Sequence, residues 1–267
     1  MAETAAEAVV QAVLESRKYG QVSRHLIAHL AEIELAKGRR HKEAVKEVKN
    51  RLHQVVGAYL EKRPRYAEWL EALEAAPEGQ RREVCGEILA AHASSRERLD
   101  ILETFYQTLL GDLPPIRSVL DVACGLNPLA VPWMPLVPGA QYLAVDVMDD
   151  LAAFLTGALP LLGVEARGLS DDVTRHVPSG RFDVALIVKA VPCLQQIDRS
   201  VGRTLLEEID ARCIVVSYPV RSLGGSEKGM RDTYAASFAQ LVQGADWNVE
   251  RFDFSDELAF RLTREPH

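Results

Sequence analysis

Through the first 110 residues, apolar positions recur every three or four residues, the spacing that gathers them on one face of an α-helix. The pattern predicts helices over 4–19, 23–37, 41–62, 64–76 and 80–92. Gly20 and Gly38 stand where glycines close helices, and Pro64 suits a first helical turn. Ser94 followed by Glu97 reads as a capping box for one more helix, running to about residue 110 and closed by Gly111. Leu113-Pro114-Pro115 then breaks the rhythm.

Beyond that break, short β-rich runs alternate with helical stretches. Strands are expected over 117–122, 141–145, 164–168, 182–188 and 212–217, with room for a helix between each pair. Such alternation builds a parallel, doubly wound sheet with right-handed crossovers. The last two runs, 248–254 and 257–263, lie close enough to pair as an antiparallel hairpin. Five parallel strands ending in a hairpin give a seven-stranded α/β sheet of the Rossmann-like, class I methyltransferase type rather than a dinucleotide dehydrogenase. The expected organisation is an all-helical N-terminal domain, 1–112, followed by an α/β domain, 113–267.

Composition adds exclusions. The chain has 267 residues, 48% of them hydrophobic. It contains no apolar run near the ~20 residues that span a bilayer. Its first residues lack the basic and apolar regions of a secretion signal, so the expectation is a cytoplasmic protein with no membrane partner. Cys85, Cys124, Cys193 and Cys213 are scattered, without a CxxC pair or histidines at ligand spacing, and no metal is expected. The net charge of −7 argues against a nucleic-acid partner until the chain is divided. Residues 1–65 carry 13 Lys and Arg against 8 Asp and Glu, a net of +5, which leaves −12 for the remainder. The run 39–52 is itself helical, with Ala44, Val45, Val48 and Leu52 on a narrow apolar stripe. Its cations project from the other face, either as a solvated surface or as a face that grips phosphates without reading sequence.

Ligands of doubly wound sheets sit at the carboxyl ends of the strands. Here Val119–Gly125 is a buried strand followed by a small-residue turn, in which Ala123 and Gly125 allow a ligand close to the backbone. Asp121 is placed to fix the turn or, through water, to hold a ligand amine. The second strand ends in Asp146, where a carboxylate can bind the hydroxyls of an adenosine ribose. Ser170, Asp171 and Asp172 follow the third strand near an adenine edge. With no complete GxGxxG and no separate substrate domain after the sheet, these features point to S-adenosylmethionine rather than a nicotinamide.

The acceptor atom is read after the fourth strand. Lys189-Ala190-Val191-Pro192-Cys193-Leu194 replaces the Asn/Asp-Pro-Pro-aromatic turn common in amine methylation. Pro192-Cys193 is compatible with a nucleophilic cysteine for cytosine C5 methylation, or with a small packing residue. Guanine N7 needs neither nucleophile nor general base, because its in-plane lone pair is unprotonated at neutral pH; alignment with the methyl donor is enough. A carboxylate such as Glu257 can favour the cationic product and accept from the guanine edge.

Segments 38–42, 51–53, 57–59, 92–99, 121–130, 189–194 and 216–230 resemble the aminoglycoside-resistance 16S rRNA (guanine 1405-N7) methyltransferases, and the resemblance covers nearly the whole chain. Its most specific parts are Cys124–Ala130 and the glycine-rich loop ending at Met230. The resemblance implies a helical domain that docks on 16S rRNA in the assembled 30S subunit, and an S-adenosylmethionine domain. Tyr59, His92, Ala93, Ser94, Arg98, Ala123, Gly125, Asp146, Asp171, Asp172, Val188 and Gln195 would line the cofactor pocket, with Arg98 on the methionine carboxylate. Lys189, Arg221, Ser222, Met230 and Glu257 would surround the target nucleotide, with no general base among them. Arg17, Lys18, Arg39, Arg40, Lys42, Lys46, Lys49 and Arg51 would grip rRNA phosphates. The protein would act as a monomer and block 4,6-disubstituted deoxystreptamine aminoglycosides. The chain departs from the family pattern at Asp171, Tyr218 and Glu227. The alternatives are a 30S-binding protein with lost or changed activity, and a cytosine C5 methyltransferase using Cys193.

Overall fold

The computed structural model describes residues 4–61, 64–220 and 229–264. Three helices open the chain and pack against one another: α1 (Ala5–Leu14), α2 (Arg24–Ala36) and α3 (His41–Glu61). The Thr4 hydroxyl accepts from the Glu7 N–H and caps α1. Gly38 closes α2 with φ +78°, as a terminating glycine should. Gly20 is not left-handed; what it provides is space, since a Cβ there would lie 3.1 Å from the Leu14 carbonyl. Ala44, Val48 and Leu52 of α3 are fully buried, as their stripe predicts. Two further helices follow, α4 (Tyr66–Ala75) and α5 (Arg81–Ala90).

The single helix expected over 94–110 is three pieces: α6 (Ala93–Arg96), a 3-10 turn (Leu99–Ile101) and α7 (Leu102–Leu110). Ser94 therefore lies inside a short helix instead of capping a long one. Bonds from Arg98 N–H to the Ser95 carbonyl and from Ile101 N–H to the Arg98 carbonyl wind this stretch more tightly than an α-helix. The change of pitch lets Arg98 turn inward while Leu102, Phe105, Tyr106 and Leu109 of α7 still face the core.

The sheet has seven strands: β1 (Ile116–Val122), β2 (Leu136–Asp146), β3 (Glu165–Ser170), β4 (Arg181–Val188), β5 (Asp210–Pro219), β6 (Asn248–Asp253) and β7 (Glu257–Thr263). Their order is β3-β2-β1-β4-β5-β7-β6. The first five strands are parallel, and β7 runs antiparallel to both β5 and β6. Between β2 and β3 the chain crosses by α8 (Asp149–Ala158); on the other side lie α9 (Val191–Leu194), α10 (Val201–Glu208) and α11 (Met230–Val242). Because the order reverses between β1 and β4, their carboxyl ends flank a crevice.

Successive residues of β1 divide between two cores. Leu120 and Val122 join the core that α10 and α11 cover. Val119 joins one that also holds Val9, Leu26 and Leu52 of the first helices. Apolar packing is thus continuous across the break at 113–115. A second tie lies past the end of β2: Ser23 N–H donates to the Val147 carbonyl (2.7 Å) and Asp149 N–H to the Gln21 carbonyl (2.8 Å). These bonds pin the start of α2 beside the end of β2.

Candidate functional site

β1 and β4 both end in left-handed backbone. Ala123, just past β1, has φ +49°, and Lys189, just past β4, has φ +56°. Each such conformation costs a side-chain-bearing residue on the order of 1–3 kcal/mol and persists only where the surroundings enforce it. Gly125, at φ +50°, continues the turn after β1. Two strained residues on neighbouring strand ends single out this edge as the ligand edge.

Beneath it runs a chain of buried polar side chains. Arg98 donates to Glu257 from Nε (2.8 Å) and from one terminal nitrogen (3.0 Å), and to Asn127 Oδ1 from the other (2.7 Å). Tyr106 donates to the same Asn127 oxygen at 2.7 Å. Asn127 Nδ2 donates to Asp121 Oδ2 (2.8 Å), which also accepts from the Tyr142 hydroxyl (2.7 Å). From the far side, Lys189 Nζ donates to the Ser94 carbonyl (3.2 Å) and Glu97 (2.9 Å) and lies 3.6 Å from Glu257. Burial works against the charge on Arg98, but Glu257 outweighs it and holds the guanidinium above its ordinary pKa. Burial pushes Asp121 up to about 7 in spite of its two donors. Its second oxygen, Oδ1, is buried without a hydrogen-bond partner.

At the end of β2, Asp146 fixes two turns at once. Its Oδ2 accepts the Gly125 N–H (2.9 Å), and its Oδ1 accepts those of Val147 (2.7 Å) and Met148 (3.3 Å). Burial still raises its pKa against these donors. Oδ2 keeps a lone pair for a further donor. Past β3, Asp171 N–H is bonded to the Asp146 carbonyl. The carboxylates of Asp171 and Asp172 are each met by a histidine of α2: His25 Nδ1 lies 2.7 Å from Asp171, and His29 Nδ1 lies 2.7 Å from Asp172. Burial opposes ionisation of both, but the facing histidines and local donors hold both below the usual carboxylate range.

The chain matches known proteins along nearly its whole length. Residues 15–260 match the family model described as ribosomal RNA methyltransferase (FmrO). The chain belongs to the FmrO family of ribosomal RNA methyltransferases. A protein of Frankia casuarinae named 16S rRNA (guanine(1405)-N(7))-methyltransferase is 37% identical, over 98% of this chain and 95% of its own. One of the same name from Micromonospora echinospora is 34% identical, over 96% of each. Among solved structures, the 16S rRNA methylase RmtB has a TM-score of 0.82 at 25% identity, covering 99% of this chain and 100% of that one. RmtF, solved with S-adenosyl-L-homocysteine, has a TM-score of 0.80 at 28% identity over the same shares.

The residues of this FmrO-family chain fit the methyl donor such enzymes use. The unpartnered Asp121 oxygen suits an ammonium group, and Asp146 Oδ2 suits a ribose hydroxyl. Arg98 spends three of its five N–H groups on Glu257 and Asn127, leaving two for a carboxylate. Ala123 and Gly125 bring the backbone close. Val188 and Gln195 stand half-buried at the same edge, at the end of β4 and just past α9, and His92 is half-buried just before α6. Burial lowers the pKa of His92. Met230 opens α11 at a cavity of about 240 Å³ shared with Gly229, Thr233 and Tyr234. Arg221 and Ser222 lie outside the described residues, as do the side chains of Tyr59 and Ala93.

Glu257 does not stand open toward a base: it is 1% exposed and locked on Arg98. Cys193 is surface-exposed, and desolvation of its sulfur raises the thiol pKa, the reverse of what activates a nucleophile. Of the basic residues, Arg17, Lys18, Arg40, Lys42 and Lys46 are exposed. Lys49 is half-buried, its carbonyl accepting the Tyr19 hydroxyl. Arg39 and Arg51 instead converge with Lys37 on the buried Glu34, and Arg51 also donates to the Gln196 and Ile197 carbonyls. Sequence reasoning missed Tyr106 and Tyr142, which sit in apolar patterns and show their hydroxyl partners only in the fold. It also missed His25 and His29, whose spacing of four along α2 was the available signal.

Proposed function

We propose that the protein transfers a methyl group from S-adenosyl-L-methionine to N7 of guanine 1405 of 16S rRNA, within the assembled 30S subunit. It acts in the cytoplasm as a monomer and protects the subunit from 4,6-disubstituted deoxystreptamine aminoglycosides. The observation that carries this reading is the 34–37% identity, over nearly the full length, to relatives of that name, taken with a ligand edge built around buried charge and a Cys193 thiol whose pKa is raised by desolvation. Among the described residues, no helix is long and apolar enough to cross a membrane.

When bound, the cofactor supplies an electrophilic sulfonium methyl. The chain's own residues have positioning to do: Asp121 and Arg98 hold the amino-acid end, Asp146 the ribose, and Asp171 and Asp172 border the adenine. Lys189 and Met230, with Arg221 and Ser222, are assigned to the target side, and Glu257 supports it from beneath by holding Arg98 and Lys189. N7 attack releases no proton, so the site requires no base. The product ring gains a positive charge, for which the exposed carboxylate of Glu97 beside Lys189 is available.

The test is tritiated methyl transfer to purified 30S subunits, with the product mapped by borohydride–aniline cleavage and primer extension. Cleavage at guanine 1405 is expected. Methyl transfer without cleavage there overturns the N7 assignment, and absence of transfer by chain that binds S-adenosyl-L-homocysteine overturns the activity.

A further inference from the structure

His25 of α2 comes together with Asp171 and His176, which lie five residues apart in the segment after β3. Their ligand atoms all lie within 4.8 Å of one another. His25 Nδ1 is 2.7 Å and His176 Nδ1 3.4 Å from one oxygen of Asp171, which also accepts the Asp172 N–H at 2.7 Å. The two imidazole rings meet edge to face, with centroids 5.6 Å apart. Two imidazole nitrogens and a backbone N–H thus converge on a single carboxylate oxygen, an arrangement that a cation can hold in place of the imidazole protons.

We propose that these three residues form a divalent transition-metal site of the zinc class, joining α2 to the loop after β3. Two imidazole nitrogens and a carboxylate oxygen are a ligand set that zinc accepts, with water completing a tetrahedron. Zinc–ligand bonds of roughly 2.0–2.1 Å put neighbouring ligand atoms about 3.3 Å apart. The Asp171–His176 separation, 3.4 Å, already has that length; His25 must retreat from Asp171 by a fraction of an ångström, and the two imidazole nitrogens, within 4.8 Å of each other, must settle at the same spacing.

All three ligands stand on backbone held in place without the ion. His25 is in the first turn of α2, two residues after the bond from Ser23 to Val147. Asp171 N–H is tied to the Asp146 carbonyl, and His176 N–H to the Asp172 carbonyl at 3.0 Å. Asp172 is in turn fixed by His29 and Thr174. The nearby Arg175 is drawn off to Glu32 at 3.1 Å, which keeps its charge away from the cation. The histidine side chains are 60% and 63% exposed, open to an ion from solvent. Metal bound here would staple the helical region to the loop that borders the adenine, and the site does not depend on the identity of the methyl acceptor.

The test uses the tag-free full chain, stripped with EDTA and titrated calorimetrically with zinc chloride. One equivalent is expected to bind, with affinity at least tenfold weaker in His25→Ala and in His176→Ala and unchanged in the surface control His41→Ala. Cobalt(II) should give visible bands of four-coordinate geometry that His25→Ala abolishes. Both ligand histidines are exposed, so metal-free melting curves should match the parent and exclude misfolding as the cause. Zinc that fails to bind at one equivalent, or binds the histidine variants as tightly as the parent, overturns the site.

Discussion

Asp121 is held in a fully buried position by two donors on one oxygen, while its other oxygen has none. Its pKa in the folded chain, about 7, lies above the ordinary 3.8, so the folded state binds this proton more tightly than the unfolded state. The sign follows: the residue costs nothing below about pH 4, and the cost grows as pH rises toward and past 7, reaching on the order of 4 kcal/mol. Asp121→Asn should flatten this part of the stability profile in urea melts between pH 4 and 8. An ammonium group beside the free oxygen would offset the same cost, so S-adenosyl-L-homocysteine should bind the parent more tightly at pH 8 than at pH 6. The Asn variant should bind about tenfold more weakly with no such trend, and a trend that survives the substitution refutes the assignment of this carboxylate. Arg98 and Glu257 pose the complementary case. Glu257→Ala leaves a buried guanidinium without its bidentate partner and should cost about 3–5 kcal/mol in denaturant titration. Glu257→Gln, which keeps an acceptor, should cost less.

Elements carry these residues to the edge, and some of them have no room to move. A Cβ on Gly168 of β3 would lie 2.0 Å from the Ala152 carbonyl oxygen of α8. Gly168 N–H also donates to Thr156 of the same helix at 2.8 Å. Gly168→Ala should therefore push α8 off β3, lower stability by about 3 kcal/mol and weaken S-adenosyl-L-homocysteine binding, since Ser170–Asp172 ride on this strand. Unchanged melting and binding would mean that the two elements separate freely. The sequence made such elements legible where one periodicity ran uninterrupted: β7 matches its expected bounds, and α3 matches to within a residue. It failed at 94–110, where helical spacing and a capping pair predict one helix. The tertiary pull on Arg98 decides otherwise, and its partner Glu257 is 159 positions away. That Asp121 and Asp146 come at the ends of β1 and β2 was legible from the strand pattern, whereas Lys189 was named through the family resemblance. What each one touches was not legible, because those interactions join segments that local pattern leaves unconnected.

At the scale of the whole molecule, charge and stability separate on the basic face. The excess of +5 in residues 1–65 was readable from sequence, but it does not all face solvent. Lys42 and Lys46 are exposed on α3, on the side away from its buried stripe. Arg51 is partly buried, holds the carboxylate of Glu34, and bonds to two carbonyls just past α9. Replacing Lys42 and Lys46 together by Glu should leave the melting temperature within a degree or two of the parent, because neither anchors the core. It should nevertheless weaken 30S binding and reduce the slope of log affinity against log salt by about 0.7–0.9 for each phosphate that is no longer neutralised. Arg51→Ala should do the opposite. It removes one of three cations from a buried carboxylate and a clamp between α3 and the sheet region, so it should lower stability by about 1–3 kcal/mol. Its effect on the salt slope should be small, since a guanidinium already committed within the fold releases few counterions. Measuring both variants in filter binding over a salt series and in thermal melts separates the two roles. If Arg51→Ala flattens the salt dependence while Lys42→Glu with Lys46→Glu does not, the rRNA-facing surface lies on the Glu34 side of α3 rather than on its exposed lysines.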